Sequence, residues 1–308
     1  MNLETQKGVS WIIKHRPTCV KDVVGSEAEQ VQKYLDTKES PHFLFHSTTG
    51  GTGKTSLALA MVKDLGADCL NINGSEERGI DTVRDKVKLF VSTMTSKPGV
   101  KRVVFLDEMD QMTKPAQLSL KSVMETSAVR VIFILTCNNI TKVDDKIRNR
   151  CRVIEFGKAN KTHIKKYLEK VCNIENLKYE DEGLNKLIDL YYPSIRRMVD
   201  ELQYLYTMKL DVTIQSIKRD SEKFELLWTN LKNKKVLDVR REILEQGYDE
   251  DLLLKFFFLQ TYEDKSLSNI QIVKLSKVLA DINYKFSVGA DKRIQIGAGV
   301  FDIFQAVM

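Results

Sequence analysis

The sequence predicts an α/β protein: a parallel sheet with helices on both faces, followed by a long all-helical stretch. Three observations predict it. Between residue 42 and about 156, short apolar runs alternate with amphipathic helical patterns, whereas from Lys158 onward only three-and-four apolar spacing remains. A Gly/Thr-rich turn, "STTGGTGKTS", separates the first apolar run from the first helix of that region. Two further runs, "VVFLDE" and "FILTCNN", end in acidic or amide residues. Ligands of open parallel sheets bind at such carboxyl ends.

Taken in order, "HFLFHS" is a strand leading into the Gly-rich turn, and "TSLALAMVKDL" is the helix after it. "CLNIN", "KRVVFLDE", "VRVIFILTCNN" and "CRVIEFG" follow as strands, with "VRDKVKLFVSTM" and "AQLSLKSVMET" as helices between them. Strands this apolar, alternating with helices, belong to a sheet covered on both sides. Then "KTHIKKYLEKVC", "EGLNKLIDLYY" and "SIRRMVDELQYLYTMKL" read as helices, with Pro193 marking a break between two of them. A boundary is expected near Asp220–Lys223. Beyond it, "ELLWTNLKN", "VLDVRREILEQ", "DLLLKFFFLQTY" and "RIQIGAGVFDIFQAVM" form a final helical block. Its apolar surface is large enough to predict packing against other subunits.

Bulk composition narrows the class. Hydrophobic residues make up 43% of 308, enough for a real core. A formal charge of +6, from 48 Lys+Arg against 42 Asp+Glu, leans basic without being extreme. The five cysteines, Cys19, Cys69, Cys137, Cys151 and Cys172, show no C-x-x-C spacing, which argues against a structural zinc site and a disulfide framework. The N-terminus lacks a secretory pattern, and no apolar run approaches the ~18 residues of a membrane span. A soluble, intracellular protein is expected. No fixed-period repeat is visible.

The chemistry is written in three places. Gly51, Gly53, Lys54 and Thr55, with Thr52 and Ser56 beside them, form a phosphate-binding loop. Backbone N–H groups and a helix N-terminus face the anion, Lys54 neutralises β/γ oxygens, and the Thr55 hydroxyl ligates magnesium. Thr48 stands where the usual pattern has its first glycine. That position is the loop's entrance, where a β-branched residue fits if φ stays negative. Asp107 would hold magnesium through water and Glu108 would polarise the attacking water. Asn138 would orient that water or sense the γ-phosphate. Together these residues predict an ATPase that uses ATP and Mg2+.

With those residues in place, the chain resembles an AAA+ ATPase, and within that class a clamp-loader subunit of the replication factor C type. "KHRPTCVKDVVG" (Lys14 to Gly25) is similar to the family's box that lines the adenine pocket. "NGSEERGIDTVRDKVKLF" (Asn73 to Phe90) resembles its most distinctive segment, and "IRNRC" its "S-R-C" motif with Asn149 in place of Ser. "PSIRRMVDEL" corresponds to the sensor-2 helix and "YKFSVGADKRIQI" to the last collar helix. The loop without its first glycine and the run "RCRVIEFG" look most like the ATPase subunit of tailed-bacteriophage clamp loaders.

The resemblance implies three parts: an AAA+ domain over 1–156, a helical lid over 157–220 and a collar over 221–308. It implies that Arg150 is an arginine finger serving a neighbour's γ-phosphate, and that Arg196, beside Arg197, is sensor 2. Ile12, Ile13, Lys14, His15, Arg16, Pro17 and Val24 would frame the adenine, with His15 where the family usually has Tyr. Arg78, Ile80 and Arg84, and also Thr113 and Lys114, would touch DNA phosphates. Val87 and Phe90 would meet the sliding clamp's hydrophobic groove, with core packing as the rival reading. Lys121 would couple DNA contact to the Asp107–Glu108 pair.

The implied partners are a sliding clamp, primer–template DNA and other loader subunits, as four copies plus one divergent chain. The implied location is the cytoplasm of an infected bacterium. The rival functions are a branch-migration motor and a non-hydrolysing scaffold.

Overall fold

A computed structural model of the chain describes residues 9–37, 41–77, 79–93, 100–127, 131–157 and 159–308. Two compact units emerge, Met1–Thr213 and Ile214–Met308.

The first unit opens with α1 (Trp11–Lys14) and α2 (Ser26–Asp36). It then alternates β1 (His42–His46), α3 (Lys54–Asp64), β2 (Asp68–Asn73), α4 (Ile80–Ser92), β3 (Arg102–Asp107), α5 (Lys114–Ser127), β4 (Val131–Cys137), α6 (Asp145–Arg148) and β5 (Cys151–Glu155). Among the described residues these strands form one sheet in the order β2-β3-β4-β1-β5, with every neighbouring pair parallel. The central β4 is buried along its whole length, while the edge strands β2 and β5 alternate with solvent.

Period-two alternation along the central strands feeds two cores. Leu44, Val104, Leu106, Phe133 and Leu135 face α4 and α5, joining Val87, Leu120 and Met124. Phe43, Phe45, Val103, Phe105, Ile132 and Ile134 face the other way, joining Val31, Leu57 and Met61. After β1 the chain crosses toward β2, and after β4 it crosses to β5. The connections that leave the adjacent strands β1 and β4 therefore run in opposite directions, which opens the crevice expected of such a sheet.

Three more helices complete the unit: α7 (Lys161–Glu175), α8 (Asp181–Tyr191) and α9 (Ile195–Thr207). The Asn160 side chain accepts from Thr162 N at the start of α7, and Asn176 ends it at φ 55°. Pro193 falls between α8 and α9, as the sequence predicts.

The second unit is helical: α10 (Ile214–Lys232), α11 (Val236–Gln246), α12 (Glu250–Glu263), α13 (Asn269–Ser287) and α14 (Lys292–Val307). The boundary expected at 220–221 falls inside α10, and the division lies at Thr213–Ile214 instead. Phe224, Leu227, Phe257, Leu279 and Val300 are among the core residues of this unit. The "GAG" of α14 has a packing reason, since a Cβ on Gly299 would lie 2.4 Å from Ile282 Cδ1. Leu237, Tyr262, Ile270, Tyr284 and Ile294 stay exposed. No helix among the described residues is long and apolar enough to cross a membrane.

Candidate functional site

The crevice at the carboxyl ends of β1, β3 and β4 is a single cleft in the first unit. Gly50 to Ser56, Asp107, Glu108, Asn138 and Arg196 line it together. All but Arg196, which comes from the start of α9, arrive at the end of a strand or in the segment directly after it, so β-strand geometry fixes their starting points.

The loop after β1 follows from its composition. Gly51 and Gly53 adopt φ of 77° and 105°, open to glycine at no steric cost. Gly51 has a second reason to lack a side chain. A Cβ there would sit 2.6 Å from Ser194 Oγ and 2.7 Å from Arg196 Cβ, and Gly51 O accepts from Arg196 N at 3.1 Å. The loop thus lies directly against the start of α9. Thr48 is exposed, keeps negative φ and stays outside the cleft lining, so its position does not require a glycine.

Lys54 is buried, with Nζ 3.4 Å from Thr49 O. Burial lowers its pKa, and the nearby Asp107 and Asp110 offset that in part. The Thr52 hydroxyl is buried without a partner among the described residues. A buried cation next to an unpaired donor is a site that wants an anion.

Asp107 is the hub. Thr55 Oγ1 lies 3.1 Å from both of its carboxylate oxygens, and the Thr136 hydroxyl donates to Oδ1. Glu108 follows at φ 55°, an uncommon conformation for a side-chain-bearing residue, and its N–H donates to Thr136 Oγ1 at 3.0 Å. Asp110 is buried and accepts from the backbone N–H of Asn138 (3.3 Å) and Asn139 (3.0 Å). The ends of β3 and β4 are therefore stitched in both directions.

On the base side, Ile12, Arg16, Pro17, Val23 and Val24 face Tyr167, Ile195 and Val199 across the cleft. Burial pushes the Tyr167 phenol up to about 12, and its hydroxyl donates to His15 O at 3.1 Å. Three of the predicted adenine residues are elsewhere. Ile13 points to solvent, while Lys14 Nζ and His15 Nε2 both bind the Glu175 carboxylate of α7, at 2.7 and 2.5 Å. They hold the segment down instead of lining the cleft.

Arg150 is not among the lining residues. Its guanidinium pairs with Glu125 of α5 and donates to Lys146 O. Lys121 also faces Glu125, at 3.9 Å, so the expected link from Lys121 to the acidic pair is not made.

Of the predicted DNA contacts, Arg78 and the Ile80 side chain lie outside the described residues. Arg84 pairs with Asp85 at 3.0 Å, while Thr113 and Lys114 are exposed where α5 begins. The predicted clamp contact at Val87 is corrected: Val87 is fully buried between α4 and the sheet core. Phe90 packs against the same core and carries the Arg102 guanidinium 4.1 Å over its ring. Their shared helical face is real, but it is the inner face.

Sequence reasoning missed Thr136, Asp110, Glu175 and Gln117. The last is buried and bonds the carbonyls of Met112 and Lys142 and the N–H of Asp144. A glutamine on an apolar helix face was the available signal.

Comparison with known proteins fits this geometry. Residues 43–158 match the model of the ATPase family associated with various cellular activities (AAA). The chain is 31% identical to the replication factor C small subunit of Archaeoglobus fulgidus over 94% of its length and 95% of that protein's. It is 29% identical to the corresponding subunit of Methanosphaera stadtmanae, with 94% and 95% covered. Among solved structures, the Thermotoga maritima RuvB Holliday junction branch migration motor superposes with a TM-score of 0.58, covering 95% of this chain and 90% of that one. At 14% identity that likeness shows the fold alone.

Proposed function

The chain belongs to the replication factor C small-subunit family, and from that premise we propose that it is the ATPase subunit of a sliding-clamp loader. In this role it opens a clamp and places it on primer–template DNA, with hydrolysis triggering release. One observation supports the division of labour most directly. Lys54, Thr55, Asp107, Glu108, Asn138 and Arg196 line one cleft, whereas Arg150 lies outside it. A cleft with every part but its completing cation is the arrangement that makes turnover depend on assembly.

The cleft suits a nucleoside triphosphate with Mg2+. The buried Lys54 ammonium and the unpaired Thr52 hydroxyl would take phosphate oxygens. Thr55 and Asp107 would hold the metal, which when bound neutralises charge on the transferring phosphoryl group. Glu108 would accept a proton from the attacking water, and Asn138 would orient that water. Arg196, fixed beside Gly51 at the start of α9, would contact the phosphates from the helical side. Ile12, Arg16, Pro17 and Val24 would bury the base. Arg150 of a second copy would lend its guanidinium to the γ-phosphate, which a planar fork of donors suits.

Exposed Thr113 and Lys114, with Arg84 and Arg78, would follow DNA phosphates without reading sequence. In its finer form the proposal has four copies and one divergent partner in the cytoplasm of a phage-infected bacterium. The variant loop entrance at Thr48 and the "RCRVIEFG" run support that form.

The test is steady-state ATPase activity of the assembled protein with clamp, with primed DNA and with both. Joint stimulation well above either alone is expected. Stimulation by duplex DNA without the clamp would favour a branch-migration motor and overturn the proposal.

A further inference from the structure

The hydroxyl of Thr136 stands between the carboxylate of Asp107 and the backbone N–H of Glu108. Thr136 lies on the fully buried β4, two residues before Asn138, and is itself 1% exposed. One hydroxyl has a single proton to give and lone pairs to accept with. Here both capacities are used: the proton goes to Asp107 Oδ1, and the oxygen accepts from Glu108 N at 3.0 Å.

We propose that Thr136 is a positioning residue for ATP hydrolysis, its one hydroxyl setting the Asp107 carboxylate for the metal and the Glu108 backbone for water activation. The inference rests on the reading of Asp107 and Glu108 given above.

Three features of the site support it. The Asp107 carboxylate is shared between Thr55 of α3 and Thr136 of β4, so its orientation is set from two elements at once. Glu108 has φ of 55°, which a side-chain-bearing residue keeps only where surrounding bonds over-determine it. The bond to Thr136 supplies that constraint from β4, and Gly74 N, donating to Asp107 O at 2.8 Å, supplies another from the β2 side. Finally, Asp110 reaches back to Asn138 N and Asn139 N. The end of β4 and the acidic turn consequently hold each other, and Thr136 is the half of that link that bonds both the Asp107 carboxylate and the Glu108 backbone.

A change from Thr to Val keeps the shape and removes both bonds. Groups that orient a metal ligand typically carry about 10- to 100-fold in metal affinity or activity when removed. A packing role alone would be preserved by Val.

The experiment compares Thr136→Val and Thr136→Ser in the full chain, using fluorescent ATP binding with Mg2+ and with EDTA, and turnover in the assembly with clamp and primed DNA. Thr136→Val is expected to keep Mg2+-free nucleotide affinity within about twofold, to lose most of the affinity gained on adding Mg2+, and to lower kcat about 10-fold or more. Thr136→Ser should recover most of both losses. If Val retains the Mg2+-linked gain and the turnover, or if Ser is as impaired as Val, the hydroxyl is not the agent and the inference falls.

Mg2+-free binding also reports folding. Should Val prove unstable, Thr136→Cys takes its place, similar in volume but a weak donor. Asp107→Asn separates the two levels of the argument. If it leaves the Mg2+-linked gain intact, the reading of the site itself is wrong and the inference goes with it. Loss in Asp107→Asn without loss in Thr136→Val sinks the inference alone.

Discussion

In and around the cleft of the first unit, polar side chains are drawn inside and bonded across long stretches of sequence: Thr55 and Thr136 to Asp107 within it, Asp110 to the backbone after β4 and Glu175 to Lys14 and His15 beside it. The helical second unit is built the other way. Its interior is apolar, apolar residues also cover part of its outside, and a conspicuous polar knot is Asp264, which binds Trp228 Nε1, Lys232 Nζ and Ser266 N. The difference shows what each region is for. Buried polar groups are costly unless satisfied, so where they cluster around an unpaired donor the fold is holding a ligand site. Exposed apolar residues on the second unit are what the proposed packing against other subunits would use.

The largest effects that sharpen this contrast fall on the cleft, and two substitutions divide it. Lys54→Ala should weaken ATP binding by ~100-fold or more, because the buried ammonium would neutralise the phosphates directly in the proposed site. Arg150→Ala should leave binding within about threefold while lowering assembled turnover by ~10³-fold, the range for a removed arginine finger. Equilibrium binding and steady-state turnover on the same preparations check both. Unchanged turnover in Arg150→Ala would make the Glu125–Arg150 pair a plain surface salt bridge and break the trans-acting reading.

How much of this was legible in the sequence follows the same division. That Gly51, Gly53, Lys54, Thr55, Asp107, Glu108 and Asn138 meet at one cleft was readable because each sits at or soon after the end of an apolar strand, and strand ends deliver side chains to one edge. Thr136 and Asp110 were not, because their meaning lies in partners across the β3–β4 register, which no local pattern encodes. The pairing of Lys14 and His15 with Glu175 was not legible for a related reason. Only the position of Glu175, some 160 residues away, decides where they point. In the second unit the helices were legible from apolar spacing, but the break at Thr213–Ile214 was not. Helix α10 spans the charged stretch "KRDSEK" where the boundary was expected.

A middle-sized effect tests the helical side of the comparison. Burial alone would raise the pKa of Asp264, yet the bonds from Lys232, Ser266 and Trp228 outweigh it and hold the carboxyl well below its usual range. Because the folded pKa lies below the unfolded one, this stabilisation is present above the ordinary carboxylate pKa of about 4 and fades as pH falls further. Asp264→Asn should therefore lower unfolding free energy by about 2 kcal/mol at pH 7, with the gap to wild type narrowing below about pH 4. Denaturant unfolding at both pH values reads it. Nucleotide affinity should not move. If it does, the polar knot serves the cleft as well, and the contrast between the regions is weaker than the structure suggests.

The smallest effects concern α4, a helix of the first unit that behaves in part like those of the second. Val87 is fully buried against the sheet core and Leu89 is 66% exposed, though the two stand only two positions apart. Apolar spacing identifies a face but not which way it turns. Val87 and Phe90 share a helical face three residues apart, and packing against α5 and the sheet claims it. Val87→Ala should accordingly reduce stability by about 1.5 kcal/mol through lost burial and a small cavity. Leu89→Ala should stay within about 0.5 kcal/mol of wild type, as surface changes do. Urea unfolding of the two variants decides the matter by their order. Were Leu89→Ala the more destabilising, the inner face of α4 would have been misassigned, and Val87 would return as a candidate for the outward contact that the family resemblance first suggested.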